Sequence, residues 1–439
     1  MTSSLRKDVV SVAKLQILIT GIGFLTQVFL ARYLGPEQKG VLDFFLLIPM
    51  VVASLIDLGL LPANTYFAGK RRVPTEILHS QSILWSLLVT LTLLLLAVAF
   101  HAFLQELFPT PRGTFLTLSI VLAGPTLYFS LWSGLMYGAD RVQSVYRFNT
   151  LSSAATLLLY VAAAYFFRLS LEAFLYLSGG ILLLKALVAL LVPRTEIPLR
   201  ISLNASAFRA SLGYGIALYL GLMVNTLHFR LDQFFVNSIK GPADLANYAL
   251  AVRIAEMVWL LDYAIINASV FRITASTVEE ATRITQRMAR LVGLIVIVAS
   301  ILLSIAAPFA VPLIFGTGFS PAVLPLILLL PGMLAWSLSR VLAQFTAYQS
   351  GKPWINTRAS AIALVVNTIL IIILIPRYGI AGAAVASSVS YFCNYLLVAQ
   401  AFKRLSGTKL LSILIPTRED ILTMKNAVSE SFPVYARKS

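Results

Sequence analysis

Five ionisable residues, His228, Arg230, Asp232, Arg253 and Glu256, lie in the stretch HFRLDQFFVNSIKGPADLANYALAVRIAE, whose surroundings are apolar enough for a bilayer. An ionised side chain near the centre of a membrane helix costs about 2.5 to 3.5 kcal/mol on insertion scales, so such groups face protein, water or a passing cargo. Arginine offers a planar fork of donors that matches phosphate or carboxylate oxygens. Carboxylates and histidine suit exchange of a proton or a small cation. The first reading is therefore a pathway for a polar cargo. Structural roles compete with it: Arg253 and Glu256 are spaced one turn apart, as in a local ion pair, and His228 suits a hydrogen-bonded interior position as well as a proton carrier.

These residues need membrane spans to hold them. With 59% hydrophobic and 12% charged positions among 439, the chain is too apolar for a soluble protein of its length and reads as a polytopic membrane protein. A helix crosses the hydrocarbon in about 20 apolar residues. Twelve such spans are predicted: Val9–Tyr33, Val41–Phe67, Leu78–Leu104, Thr114–Ala139, Phe148–Phe167, Leu171–Val192, Leu212–Ile239, Leu245–Phe271, Arg290–Phe315, Pro321–Tyr348, Ile355–Ile375 and Ile380–Phe402.

The net charge of +16 sits mostly in short loops, where it acts as a topology signal and not as a nucleic-acid surface. With the N-terminus inside, most lysines and arginines fall at cytoplasmic ends, and only Arg32, Lys39, Arg112, Arg168, Lys240 and Arg377 at outer ends. Both termini are therefore expected in the cytoplasm. The apolar run after Arg6 and Lys7 continues without a small-residue cleavage site and reads as a retained helix. Cys393 is the only cysteine, which excludes an internal disulfide and a paired-cysteine metal site, and no cofactor is expected. No connection is long enough for a folded domain or carries a histidine and carboxylate cluster, so no enzyme is expected.

An internal repeat frames the charges. FLTQVFLARYLGP, from Phe24 to Pro36, aligns with RLDQFFVNSIKGP, from Arg230 to Pro242, at an offset of 206 residues. An all-α membrane fold of two six-helix lobes follows, over 1–200 and 201–406, with an amphipathic or flexible cytoplasmic tail at 407–439. Polar stripes at helical spacing mark several spans: Gln16, Thr20, Gly23 and Gln27; Asp43, Asp57 and Asn64; Asn225, His228 and Asp232; Arg253, Glu256, Tyr263 and Asn267; Ser337, Arg340 and Gln344; Asn356, Ser360 and Asn367. They suit a wide wet cavity, and small polar residues equally suit helix packing. The deep charges balance, Lys185, Arg230, Arg253 and Arg340 against Asp57, Asp232, Glu256 and Asp262.

Several motifs, in order, carry a resemblance: Ala31-Arg-Tyr-Leu-Gly-Pro-Glu-Gln-Lys-Gly40, Asp57-Leu-Gly-Leu60, Gly241-Pro242, Ala251-Val-Arg253, Phe315-Gly-Thr-Gly-Phe319, Gly351-Lys-Pro353 and Ile375-Pro-Arg-Tyr-Gly-Ile-Ala-Gly-Ala-Ala384. With them the chain resembles the polysaccharide-transporter, or Wzx-type oligosaccharide flippase, branch of the multidrug/oligosaccharidyl-lipid/polysaccharide (MOP) exporter superfamily. The resemblance implies a flippase of the bacterial inner membrane that moves undecaprenyl-diphosphate-linked oligosaccharide by alternating access for O-antigen, capsule or exopolysaccharide. It also implies coupling to H+ or Na+, and a polysaccharide polymerase and glycosyltransferases as partners. The substrate-binding candidates are Arg230, Arg253, Arg340, Gln27, Asn225 and Tyr263. Asp57, Asp232, Glu256 and His228 are the ion-coupling candidates. The rivals are a cation-coupled drug exporter of the multidrug and toxin extrusion (MATE) type and a membrane glycan polymerase or ligase.

Overall fold

Where the sequence reads Gly35-Pro36 and again Gly241-Pro242, a helix ends and another begins. Both glycines take a left-handed backbone, φ 69° and 89°, which a side chain would strain. Each proline follows in the first turn of the next helix, where its missing N–H leaves no bond unmade. The repeat seen in sequence is therefore a repeated helix, turn and helix.

The computed structural model of the chain describes residues 3–100, 113–191, 202 and 204–408, without the side chains of 3–10, 113, 261, 263–265, 267–269 and 271. All regular structure among them is helical. The elements are α1 (Ser3–Ile56), α2 (Leu60–Gly69), α3 (Thr75–Ala99), α4 (Gly113–Val121), α5 (Ala123–Gly138), α6 (Val142–Tyr165), α7 (Leu171–Leu191), α8 (Ala205–Lys240), α9 (Pro242–Glu256), α10 (Trp259–Ala275), α11 (Val278–Phe315), α12 (Val323–Gln344) and α13 (Trp354–Ser406). A 3₁₀ turn, Thr317–Ala322, leads into α12, and a π turn, Phe345–Gln349, follows it. Among the described residues nine helical stretches are long and apolar enough to cross a membrane. Two of these, containing α1 and α13, are helix pairs joined across a non-helical glycine, Gly35 and Gly379. The protein is a multi-pass membrane protein. The tail beyond Thr408 lies outside the described residues.

Three predicted spans are interrupted, Thr114–Ala139 only by the single turn residue Leu122 between α4 and α5. Val41–Phe67 is interrupted at Asp57-Leu58-Gly59, where Leu58 and Gly59 have φ of 50° and 77°. Leu245–Phe271 is interrupted at Met257 and Val258, whose amides bond three residues back to Ile254 and Ala255. The break at Asp57 is written in the sequence by a helix-capping aspartate and a glycine. The one at Met257 has no glycine or proline, and nothing local announces it. The second span of the first copy is thus discontinuous, whereas that of the second copy tightens to three-residue bonding at a backbone that stays right-handed, φ −60° at Val258. Freed backbone polar groups inside a membrane persist only where protein or a water-lined cavity satisfies them.

The described parts form two compact units, Met1–Arg230 with Lys240–Ala246 and Ile314–Phe319, and Leu231–Ile239 with Asn247–Leu313 and Ser320–Ser439. In the first, α2 and α5 pack through Gly134 and Gly138. The Thr65 hydroxyl donates to the Gly134 carbonyl at 2.9 Å, and a Cβ at Gly134 would lie 2.6 Å from the Leu61 carbonyl oxygen. Small residues one turn apart let the backbones approach, which drives helix association in lipid. Overpacking such a contact costs about 1 to 3 kcal/mol. Gly134→Val is accordingly expected to lower the thermal midpoint of the detergent-solubilised protein by several degrees, and an unchanged midpoint would refute the close packing. In the second unit α12 and α13 are tied by Ser388 Oγ to the Leu328 carbonyl at 2.6 Å and Ser339 Oγ to Asn394 Oδ1 at 2.6 Å.

Candidate functional site

Helix α8 carries Asn225, His228 and Arg230 in the first unit and Asp232 in the second. Asp232 is only 2% exposed. Its Oδ2 accepts hydrogen bonds from the Tyr248 hydroxyl at 2.5 Å and the Ser387 hydroxyl at 3.1 Å, and its Oδ1 accepts from the Gln233 amide at 2.8 Å. Three helices, α8, α9 and α13, therefore converge on one carboxylate. These bonds hold the buried carboxylate in place. Asn367, fully buried on α13 in the same unit, makes no hydrogen bond with either polar side-chain atom among the described residues.

Arg340 is held elsewhere. Its Nη1 donates to Asp262 Oδ1 at 2.9 Å, joining α12 to α10, with Asp262 buried and Arg340 26% exposed. The sequence marks Asp262 only as a deep charge, because its partner lies 78 residues away. The pair fixes the guanidinium at a half-buried position on α12.

In the first unit Asp57 closes the break between α1 and α2. Its Oδ1 accepts from the Leu61 amide at 3.1 Å, and its carbonyl accepts from the Leu60 amide at 2.9 Å. The carbonyls freed just before the break are met by side chains of two other helices, Ile56 by Trp85 Nε1 at 3.2 Å and Leu55 by the Tyr219 hydroxyl. Cβ atoms at Gly59 and Gly215 would each collide with the other's backbone, so α8 lies directly against the break. Asp57 thus has a definite structural duty, capping a helix inside a span.

One charge pair escaped the sequence reading. Lys39, assigned there to an outer end, is 0% exposed and forms an ion pair with Asp43 Oδ2 at 2.5 Å, one turn along the same helix. The i, i+4 spacing inside an apolar run was the available signal. Asn64, on the same polar stripe as Asp43, serves packing: its amide donates to Ser82 Oγ at 2.9 Å and the Leu131 carbonyl at 3.1 Å. Asn356 and Ser360 do likewise, bonded to Thr346 and Asn394.

The other candidates are placed as follows. His228 is fully buried beside Phe229, and Arg230 is half-buried with Nη1 donating to the Phe229 carbonyl at 3.2 Å. Arg253 and Glu256 are both half-buried on the last turn of α9, immediately before the break at Met257. Gln27 and Asn225 are half-buried, and their amide oxygens are buried without a hydrogen bond among the described residues. Tyr263 and Asn267 lie on α10, with side chains outside the described set. No group of three or more histidine, cysteine and carboxylate residues could hold a metal ion among the described residues.

Known proteins share this architecture. The structure superposes on the lipid II flippase MurJ in an inward closed conformation, TM-score 0.75 at 13% identity, covering 96% of this chain and 98% of that one. It also superposes on an inward-facing multidrug resistance MATE family transporter of the MOP superfamily, TM-score 0.73 at 12% identity, covering 89% and 96%. A MOP superfamily transporter from Pyrococcus furiosus, described as having a binding pocket of reverse polarity, matches with TM-score 0.61 at 14% identity over 91% and 96%. At these identities the likeness establishes the fold alone: an all-helical architecture shared with these MOP superfamily transporters and with MurJ. In sequence, the chain is 26% identical over 395 residues to Agl15 of Haloferax volcanii, described as a probable low-salt glycan biosynthesis flippase, covering 86% of this chain and 79% of the relative. Each of these is a flippase or a transporter. The model of the polysaccharide biosynthesis protein family matches residues 5–278, well over half of the chain, and the protein belongs to that family.

Proposed function

We propose that this protein is a flippase that carries a polyprenyl-diphosphate-linked oligosaccharide across the cytoplasmic membrane during synthesis of a surface polysaccharide, by alternating access coupled to H+ or Na+. The observation that carries this reading is the set of half-buried arginines, Arg230, Arg253 and Arg340, in the spans of a chain from a polysaccharide biosynthesis family. Moving a diphosphate through a bilayer without partners would be prohibitive, and arginine is the residue whose fork matches phosphate oxygens. Gln27, Asn225 and Tyr263 would add contacts to the sugars. Asp232, with Tyr248 and Ser387, is the favoured seat of ion coupling; Glu256 and His228 are secondary candidates, and Asp57 a weaker one given its capping bonds. The twelve predicted spans in two lobes, 1–200 and 201–406, with both termini and the tail 407–439 cytoplasmic, complete the proposed topology.

Proteoliposomes loaded with a fluorescent lipid-linked oligosaccharide test the proposal directly. Wild-type protein is expected to make the inner-leaflet pool accessible to an externally added, membrane-impermeant quencher in seconds to minutes, whereas in protein-free vesicles that pool stays protected. Equal protection with and without protein would sink the flippase reading. A drug exporter would instead confer resistance on a pump-deficient strain, and a polymerase or ligase would lengthen or transfer the glycan; neither product is expected.

A further inference from the structure

At one end of the second unit, the first turns of α13 and its last turns enclose a cavity of about 420 Å³. Its rim holds three cations, Lys352, Arg358 and Arg404, all exposed. Among the described residues none of the three has a carboxylate within ion-pair distance, and no carboxylate lines the cavity. The Arg358 guanidinium lies 5.3 Å above the ring of Trp354, which fixes its direction and half-exposes the indole. Below the rim the lining turns apolar, through Ile362 and Leu397, with alanines at 359 and 401 leaving the space open between the helix arms.

This order of chemistry is informative. Three cations in one concave rim, with no carboxylate against them among the described residues, call for an anion with more than one accessible oxygen. A soluble anion would use the rim alone and would gain nothing from the apolar wall. Ile362 is exposed on a helix that spans the bilayer, so the wall continues onto the lipid-facing surface. Trp354 sits where an aromatic ring marks a membrane interface. A ligand with a phosphate at one end and hydrocarbon at the other matches the cationic rim and the apolar wall, with Gln400 as a further polar contact.

We propose that this cavity binds an anionic phospholipid, with its phosphate on Lys352, Arg358 and Arg404 and an acyl chain along Ile362 and Leu397. Basic pockets between membrane helices at the interface recognise such headgroups. The residues are distinct from the arginines assigned to the cargo. By joining the two arms of α13 at their open end, the lipid would add to the contacts between them, the turn at Gly379 and the bond from Asn394 to Ser360. Binding here is separate from transport, so it is measured on purified protein whatever the cargo proves to be.

Native mass spectrometry of the full chain in detergent, titrated with phosphatidylglycerol, phosphatidylcholine or the water-soluble headgroup glycerophosphoglycerol, tests the site. Wild-type protein is expected to retain phosphatidylglycerol in preference to phosphatidylcholine. R358Q/R404Q should weaken it by about fivefold for each charge removed. I362W, which fills the apolar part and leaves the cations alone, should weaken it as well, and the soluble headgroup should not displace the lipid at equal concentration. All three cations lie on the surface, and K352Q supplies an independent variant if the double substitution unfolds. Equal retention of the two lipids, unchanged affinity in folded charge variants, or displacement by the soluble headgroup would each overturn the proposal. So would charge-dependent binding of undecaprenyl diphosphate with none of phosphatidylglycerol, which would assign the cavity to the cargo instead.

Discussion

Arg253→Ala is expected to reduce glycan export by about two orders of magnitude while leaving protein abundance in the membrane unchanged. Removing one member of a desolvated, hydrogen-bonded charge pair costs about 2 to 5 kcal/mol, and a central value corresponds to roughly a hundredfold in rate or affinity. Arg253 lies on the last turn of α9, one residue triplet before the discontinuity at Met257 and Val258. A helix break inside a span is where polar backbone is tolerated because a cavity or cargo meets it. Arg253→Lys keeps the charge but loses the bidentate fork, so an intermediate loss is expected. The neighbouring Glu256 supplies the control. If Arg253 acts by neutralising Glu256, R253A/E256Q restores export; if it meets the diphosphate, the double variant stays inactive. The measurements are surface polysaccharide and accumulated lipid-linked oligosaccharide in a strain lacking the native gene, and wild-type export by the single variant would remove Arg253 from the cargo site.

Asp232→Asn carries the second large effect. Asparagine keeps an oxygen that can accept the Tyr248 and Ser387 hydroxyls, so the meeting of α8, α9 and α13 should survive, with a thermal midpoint within a few degrees of wild type. What asparagine cannot do is exchange a proton or balance a cation. Transport driven by an imposed pH or Na+ gradient in proteoliposomes is expected to fall at least tenfold, to the rate seen without a gradient. Tyr248→Phe is the complementary change. It strands the buried carboxylate without one donor, at a cost of about 1 to 3 kcal/mol, and should lower stability more than Asp232→Asn does. A gradient response in Asp232→Asn equal to that of the wild type would move coupling to Glu256 or His228.

Much of the architecture was legible before any coordinates. Spans were readable because a bilayer imposes a length and a composition on whatever crosses it. The Gly35-Pro36 and Gly241-Pro242 turns were readable because only glycine accepts the required φ cheaply and only proline tolerates the lost N–H at a helix start. The interruption at Asp57-Leu58-Gly59 carried its own signals, a capping carboxylate and a glycine, although the predicted span ran through it. The ion pair of Lys39 and Asp43 was available too, since a spacing of four residues places both on one face of one helix.

Other features had no local signature. The break at Met257 lacks any residue that prefers it, so tertiary packing must impose it. Asp262 belongs with Arg340 across 78 residues of chain, and Ser387 reaches Asp232 across 155. Such pairings depend on the rotation and axial register of packed helices, and a shift of one residue turns a side chain by about 100°. Sequence alone therefore determined that this protein crosses a membrane many times, carries a duplicated helix pair, and holds costly charges within its spans. Only the tertiary structure decided which charge meets which, because the partner of a buried ion is chosen by the packing of helices distant in the chain.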